Sequence, residues 1–140
     1  MDMKITFPGG LGVNAAFKGF TVTTDQEVEH GGGGTAPEPF DLFLASLGTC
    51  AGLYALRFCQ QRGIATQGLG LTLTTEKDPE WKRLALVRLE IELPDGFPEK
   101  YREALIRSVD QCAVKRHILA PPRFEVATVA ARMQLEAVEV

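Results

Sequence analysis

The chain has 140 residues, of which 45% are hydrophobic and 24% are charged, and its formal net charge is −3. This length predicts one domain over residues 1–140 with a buried core, and the composition excludes a disordered chain. The sequence contains no basic run with interleaved aromatic residues, so we expect no nucleic acid partner.

Three short strands are predicted at the N-terminus: residues 4–7, 12–17 and 20–24. Turns at Pro8-Gly-Gly and Lys18-Gly19 separate them, which indicates a β-meander. A glycine run, Gly31 to Gly34, follows the meander. It is not a phosphate-binding loop, because Thr35-Ala-Pro comes next, and we interpret it as a flexible connector.

A long helix is predicted from Pro39 to about Gln61. Pro39 suits a first helical turn, Glu38 and Asp41 place negative charge at the positive end of the helix, and Gly63 favours its termination. Apolar residues occur all around this helix. Such a pattern predicts burial on every face, so we expect this helix to be the central element of the fold.

The N-terminal residues do not resemble a signal peptide, because no positive segment is followed by an apolar one. The charge-free run from Leu42 to Leu56 contains 15 residues, with Gly48 and Gly52 inside it. A membrane-spanning helix needs about 20. We therefore expect a buried core helix, no membrane partner and a cytoplasmic location.

Two segments with alternating apolar residues follow, 68–75 and 84–93, and predict an antiparallel pair with one solvent-facing side. A second helix is predicted from about Pro98 to Gln111, with a short helical turn through Ile118. A final strand is expected from Arg123 to Leu135. This order indicates an α+β fold, and the N-terminal strand edges favour pairing with another chain in a dimer.

The three cysteines show neither the spacing of a zinc finger nor that of a secreted disulfide scaffold. Cys50 lies in the long helix among small and polar residues, and Cys112 lies near the end of the second helix. One thiol on each of two helices suggests paired redox chemistry, although a buried structural cysteine is the alternative for Cys50. Cys59 is about 900° further round the helix than Cys50 and is expected to be a small buried hydrophobe.

The segment Pro39-Phe-Asp-Leu-Phe-Leu-Ala-Ser-Leu-Gly-Thr-Cys resembles the proline-acid-leucine, alanine, glycine, cysteine signature of the OsmC/Ohr family. Gln111-Cys-Ala-Val resembles the second motif of that family, a cysteine followed by a small residue and valine. The order of elements and the separation of the cysteines agree along nearly the whole chain. The acid at Asp41 is similar to that of a less characterised branch.

This resemblance implies an OsmC-like thiol peroxidase that reduces organic hydroperoxides in the oxidative stress response, without a cofactor or a metal. It implies an intertwined homodimer with each active site at the subunit interface. By position, Cys50 would be the peroxidatic cysteine and Cys112 the resolving one, with Asp41 as a candidate supporting acid. The reductant implied is a dihydrolipoyl group or a small thiol.

The sequence departs from the family at the groups that assist the thiol. Phe40 stands where the best-understood members carry a glutamate, and no arginine occurs before Arg57. Only a thiolate attacks a peroxide, and burial in an apolar helix raises the pKa of a thiol. The candidate compensating cations are Arg57, on the same helical face as Cys50, and the cluster Lys115, Arg116 and His117.

Two other functions stay open at this point. One is an OsmC-like fold without peroxidase activity, which binds a small molecule or a partner and has unreactive cysteines. The other is a metal site formed by Cys50 and Cys112 with His117 or His30. Loosely spaced cysteines and histidines are common by chance, so the metal site is the weaker alternative.

Overall fold

The structure is a computed structural model that describes residues 1–130. In chain order its strands and α-helices are β1 (Lys4–Gly9), β2 (Gly12–Phe17), β3 (Phe20–Thr24), α1 (Pro39–Gln61), β4 (Gly70–Lys77), β5 (Leu84–Glu92), α2 (Arg102–Val109) and α3 (Ala113–Leu119). The α+β class and the antiparallel sheets predicted from the sequence are confirmed.

The N-terminal strands form the predicted meander. Strand β2 lies between β1 and β3, and both pairings are antiparallel, with Ala15 opposite Ile5 on one side and Val22 on the other. Several large apolar side chains of this sheet are exposed, including Phe7 and Phe20. The meander therefore contributes little to the core of the protomer.

The glycine run after β3 is not a flexible connector, so that interpretation was wrong. The buried carboxylate of Asp25 accepts hydrogen bonds from the backbone N–H of Gln26, Gly33 and Thr35 and from the Thr35 hydroxyl. Gly32 lies so close to the backbone of Gln26 that a Cβ atom would overlap it. The glycines thus permit a tight loop that is organised around one satisfied carboxylate.

Helix α1 begins and ends where the sequence predicts. Glu38 and Asp41 form a reciprocal capping box, in which the Glu38 N–H donates to the Asp41 carboxylate at 3.0 Å. Arg62 is the C-cap, and Gly63 follows with a φ of 64°, a left-handed conformation that glycine adopts without strain. The capping box satisfies backbone donors that the first helical turn leaves without partners.

Burial of α1 on every face was also predicted, and this is wrong for the protomer. The buried side is formed by Leu47, Ala51, Ala55, Phe58 and Cys59. It faces β4, α2 and α3, whereas Phe40, Phe43, Leu53 and Leu56 are exposed. A single layer of neighbours covers only one side of a helix, so an apolar face of α1 remains open in this chain.

By length and composition alone, α1 is long and apolar enough to cross a membrane. Core helices of globular proteins often satisfy the same criterion. Helix α1 has its packed side in the core of this chain, in contact with buried residues of α2. We therefore describe α1 as a core helix.

The second half of the chain supplies most of the core around α1. Strands β4 and β5 pair in an antiparallel hairpin, with Leu73 opposite Leu89. The segment predicted as a second helix begins with a 3-10 turn, Glu99–Tyr101, and continues as α2. Leu105 of α2 is 1% exposed and is one of the largest fully buried side chains.

The predicted final strand is not formed where the structure describes it. Residues 123–130 belong to no strand, and residues 131–135 lie outside the described residues. Phe124, Val126 and Val129 are all exposed. A strand requires hydrogen-bond pairing with a neighbour, and within residues 1–130 nothing pairs with this segment.

Candidate active site

The fold brings Cys50 and Cys112 together, as the paired-thiol hypothesis requires. Helix α1 carries Cys50 on a partly buried turn, and it contacts α3, which begins directly after Cys112. Cys112 is 1% exposed, and its side chain hydrogen-bonds to that of Cys50. Both thiols are free in this structure. The packing of α1 against α3 therefore brings together two cysteines that are far apart in the sequence.

The start of α3 provides the polar groups around the two sulfur atoms. Cys112 is the N-cap of α3, and its Sγ accepts a hydrogen bond from the Lys115 N–H at 3.5 Å. The backbone N–H groups of Ala113 and Val114 donate hydrogen bonds to the Cys50 sulfur. These N–H groups belong to the first turn of a helix and have no partners within it.

These contacts determine the acidity of Cys50. Burial alone would raise the pKa of its thiol, but hydrogen bonds from the Val114 N–H, the Cys112 side chain and the Ala113 N–H outweigh burial and hold the pKa below its ordinary value. Hydrogen bonds to the charged form favour that form. Cys50 is thus the thiol that ionises more easily.

The opposite shift occurs at Cys112. Burial raises the pKa of the Cys112 thiol, and the adjacent Cys50 raises it further, both by accepting its hydrogen bond and by its own charge. The N–H groups of Lys115 and Val114 oppose this effect without reversing it. The pair therefore favours a thiolate at Cys50 beside a protonated Cys112.

Two of the candidate cations, Lys115 and His117, are engaged elsewhere in the protomer. The Lys115 ammonium group pairs with the Asp110 carboxylate, and His117 Nδ1 lies 2.6 Å from the carbonyl oxygen of Ala113. Arg57 and Arg116 are exposed, and within residues 1–130 no cationic side chain contributes to the pKa of Cys50. A cation was expected to lower the pKa of Cys50, but backbone N–H groups contribute to this effect instead.

Asp41 lies in the first turn of α1, whereas Cys50 lies at the middle of the helix. Its carboxylate accepts the Glu38 N–H in the capping box, and nine residues separate it from Cys50, about 13 Å along the helix axis. The described contacts give Asp41 a capping role within the protomer. Its support of the thiol chemistry stays a prediction.

A groove of about 1040 Å³ opens beside Cys112, between the first half of α1, strand β5 and helices α2 and α3. Its walls are mainly apolar and include Phe40, Phe43, Leu47, Val87, Leu89, Ile91, Ile106, Val109 and Ile118. Such a mainly apolar concavity with few polar groups is typical of small-molecule sites. It can accept a hydrocarbon group next to Cys112.

Cys59 has the role predicted for it. It is fully buried in the core cluster with Ala55 and Phe58, and burial raises the pKa of its thiol. Within residues 1–130, no group of three or more histidine, cysteine, aspartate or glutamate side chains is arranged to hold a metal ion. His117 and His30 are not brought together with the cysteines in such a group.

Sequence reasoning missed a polar cluster at the N-terminus of α1. His30 Nδ1 lies 3.0 Å from Glu38 Oε1, which also accepts the Glu27 N–H at 3.3 Å. The hydrogen bond with Glu38 raises the pKa of His30, and the same bond lowers the pKa of Glu38. The glycine run between these residues hid the contact, because it suggested a loop without fixed structure.

The comparison with known sequences identifies a family. A family model for OsmC-like protein matches residues 31–127, which include both Cys50 and Cys112. No curated protein matches the sequence. The matched range covers more than half of the chain and all elements from α1 to α3.

Solved structures have the same fold at low sequence identity. A Psychrobacter arcticus protein, described as an osmotic stress induced and detoxification response protein, is 22% identical, with a TM-score of 0.70 over 81% of this chain and 85% of that chain. An OsmC like protein from Mycoplasma pneumoniae is 18% identical, with a TM-score of 0.66 over 86% and 87%.

A third structure is the organic hydroperoxide resistance protein OsmC from Legionella pneumophila. It is 21% identical, with a TM-score of 0.54 over 84% of this chain and 89% of that chain. These likenesses concern the fold, and the match to the family model covers both thiols of the site. The chain therefore belongs to the OsmC-like protein family.

Proposed function

We propose that this protein is a thiol-dependent peroxidase that reduces organic hydroperoxides, with Cys50 as the peroxidatic and Cys112 as the resolving cysteine. The observation that carries the proposal is the contact between the two thiols, whose pKa values shift in opposite directions. A nucleophilic cysteine needs the thiolate at working pH, and a resolving cysteine needs a thiol within reach.

In the first step the Cys50 thiolate attacks the terminal oxygen of the hydroperoxide. A sulfur–oxygen bond forms, the oxygen–oxygen bond breaks, and the alkoxide leaves and takes a proton to become the alcohol. Cys50 is oxidised to a sulfenic acid while the hydroperoxide is reduced by two electrons. The N–H groups of Ala113 and Val114 stabilise the thiolate before attack.

In the second step the sulfur of Cys112 attacks the sulfur of the Cys50 sulfenic acid. The disulfide bond forms, the sulfur–oxygen bond breaks, and one water molecule leaves. A dihydrolipoyl dithiol, or two molecules of a small thiol, then returns two electrons and two protons by thiol–disulfide exchange. The supporting observation is that Cys112 is already hydrogen-bonded to Cys50 in the reduced state.

The groove supports an organic substrate over hydrogen peroxide. Its apolar walls from α1, β5 and α2 offer burial to a hydrocarbon group, which hydrogen peroxide lacks. The Legionella pneumophila relative is named an organic hydroperoxide resistance protein, which agrees with this class of substrate.

We also propose that the protein works as a homodimer in the cytoplasm. The open face of α1, with Leu53 and Leu56, the exposed Phe7 and Phe20 of the meander, and the exposed Phe124 all support association. Large exposed apolar surface often marks a site of protein–protein association. Light scattering of the purified protein tests this, and a monomer at micromolar concentration would contradict it.

A second candidate function is a small-molecule binding or interaction module without turnover. The observation that favours it is Phe40 at the position of the family's glutamate, together with the lack of a cationic contribution to Cys50 within residues 1–130. It predicts that the groove binds a ligand while both thiols keep the reactivity of free cysteine.

The mass of the reduced protein after brief exposure to one equivalent of an organic hydroperoxide tests the mechanism. The wild type should lose two hydrogen atoms, the Cys112→Ser variant should gain oxygen on Cys50, and the Cys50→Ser variant should stay unchanged. A Cys59→Ala variant is the matched control and should behave like the wild type, because Cys59 lies in the core. Thiols that stay reduced in the wild type would favour the binding module.

A further inference from the structure

The corner between α2 and α3 carries the groups on which both thiols depend. Only residues 110–112 separate the end of α2 from the start of α3. Cys112 lies in this corner, and the N–H groups of Ala113 and Val114, which donate to Cys50, come directly after it. The direction in which α3 leaves the corner therefore decides whether those N–H groups point at the Cys50 sulfur.

Helix α3 has few contacts of its own that fix this direction. It contains 7 residues, none of them is buried, and Leu119 is 74% exposed. A helix of this length is not stable in water by itself. The contact between His117 and the Ala113 carbonyl lies within α3 and does not connect it to a neighbour. The placement of α3 therefore depends on its packing on α1 and on the corner that precedes it.

One ion pair spans the corner. The Lys115 Nζ atom lies 2.5 Å from Asp110 Oδ1, and Asp110 is the C-cap of α2, whereas Lys115 belongs to the first turn of α3. Among residues 1–130 this is the one ion pair that joins α2 to α3. Lys115 also donates its backbone N–H to the Cys112 sulfur. It thus connects the end of α2 to the thiol pair by two contacts.

The two charges of this pair oppose the dipoles of both helices. A helix dipole favours cations at the C-terminus and anions at the N-terminus. Asp110 is an anion at the C-terminal end of α2, and Lys115 is a cation at the N-terminal end of α3. Neither charge therefore stabilises its own helix, and each is satisfied by joining the two helices. The Lys115 charge does not act on the sulfur atoms either, because it contributes to the pKa of neither Cys50 nor Cys112.

We propose that Asp110 and Lys115 are positioning residues that fix the corner between α2 and α3. The fixed corner directs the N–H groups of Ala113 and Val114 at the Cys50 sulfur. Neither charged side chain takes part in a bond-forming step. As an account of catalysis this inference rests on the proposed peroxidase function, whereas its consequence for the acidity of Cys50 does not.

The alkylation midpoint of Cys50, measured with iodoacetamide against pH, tests the proposal without any peroxide. Asp110→Asn and Lys115→Gln each break the pair, so each should raise the midpoint by about 0.3–0.7 of a pH unit, a shift within the range that an exposed ion pair can supply. The double variant should show the same rise as either single variant, because each alone removes the whole interaction. Lys115→Arg keeps the pair and should keep the midpoint of the wild type.

Two outcomes would overturn the proposal. Unchanged midpoints in both single variants would show that the pair does not position the N–H groups. A fall in Asp110→Asn with a rise in Lys115→Gln would show that the Lys115 charge acts directly on the thiol once Asp110 releases it. Both side chains are partly exposed, 41% for Lys115 and 56% for Asp110, so neither substitution removes a buried group from the core.

The matched control is Glu103→Gln, which breaks an exposed ion pair with Arg107 inside α2 and leaves the corner unchanged. This variant should keep the alkylation midpoint of the wild type. A rise equal to that of Asp110→Asn would attribute the effect to a general weakening of α2 and overturn the assignment.

The rate constant for oxidation by an organic hydroperoxide separates this inference from the proposed function. At a pH below the midpoints it should fall in both single variants, because less thiolate is present. If the wild type reacts no faster than free cysteine but the midpoints shift as expected, the proposed function fails and the positioning role stands. Fast reaction of the wild type with unchanged midpoints in the variants overturns the inference alone.

Discussion

The Cys50 thiol lies against the Cys112 thiol, and the contact moves the two pKa values apart: down for Cys50 and up for Cys112. Backbone N–H groups at the start of α3 stabilise charge on Cys50, whereas burial and the neighbouring sulfur oppose charge on Cys112. Cys50 is thereby the more acidic thiol, and Cys112 holds its proton more strongly. The asymmetry comes from the placement of α3, with no charge of a cationic side chain within residues 1–130 acting on either thiol.

The pH dependence of alkylation should reveal this asymmetry. A thiolate is present above the pKa of its thiol, so Cys50 should react with iodoacetamide at a midpoint below about pH 8.5, the value of a free cysteine. The alkylation midpoint of Cys112 should lie above the value of a free cysteine. Mass mapping of the alkylated peptides measures both, and equal midpoints for the two cysteines would contradict the assignment.

Two substitutions at Cys112 should separate its hydrogen bond from its resolving chemistry. Cys112→Ser keeps a donor for Cys50 and an N-cap for α3, so Cys50 should stay acidic while disulfide formation is lost. Cys112→Ala removes both, so the pKa of Cys50 should rise toward its ordinary value. The alkylation midpoint of Cys50 in each variant measures the difference. An unchanged midpoint in the alanine variant would mean that Cys112 does not influence Cys50.

The sequence predicted the start of α1 at Pro39 and its end near Gln61, because Pro39, Glu38 with Asp41, and Gly63 are local signals for a helix start and stop. It could not predict that the backbone N–H groups of Ala113 and Val114 would donate hydrogen bonds to Cys50. Those contacts come from backbone N–H groups, which every residue except proline possesses, and only the packing of α3 on α1 selects them. Motifs identify reactive side chains, whereas their electrostatic environment depends on tertiary structure.

The burial of α1 and the final strand illustrate a different limit. Apolar residues on all sides of α1, and alternating ones after Arg123, led to the prediction of burial and of a final strand. Among residues 1–130, Leu53 is 44% exposed and Phe124 is 82% exposed. A pattern of hydrophobic residues does not say whether the partner surface belongs to the same chain or to another one.

The ion pair between His30 and Glu38 should make stability depend on pH. The partnership raises the pKa of His30, so its stabilising contribution is fully present below about pH 6.5, the ordinary value, and is lost as pH rises through the higher folded value. The Tm difference between the wild type and His30→Gln should be positive near pH 6 and shrink toward zero well above that folded value. A difference that stays constant over this range would show that the charge of His30 is irrelevant.

Substitution of Leu105 should lower the free energy of unfolding more than substitution of an exposed residue. Its side chain is 1% exposed and packs in the cluster with Ala55 and Phe58 of α1. Leu105→Ala should lower the free energy of unfolding by about 2–5 kcal/mol, through lost burial and the cavity left behind. Urea denaturation measures the change. Leu119→Ala, at a side chain 74% exposed in this chain, is the control and should change it by less than about 0.5 kcal/mol. Equal effects at the two positions would contradict the described packing.

The rate constant for oxidation of Cys50 by an organic hydroperoxide tests the central claim most directly. Stopped-flow mixing of the reduced Cys59→Ala protein with the hydroperoxide, followed by quantification of alcohol and disulfide, gives this constant and the stoichiometry together. The account predicts a rate at least about a hundredfold above that of free cysteine, the lower range of the contribution that one positioned catalytic group makes, with one alcohol formed per disulfide. A rate equal to that of free cysteine, or alcohol formed without the Cys50–Cys112 disulfide, would contradict it.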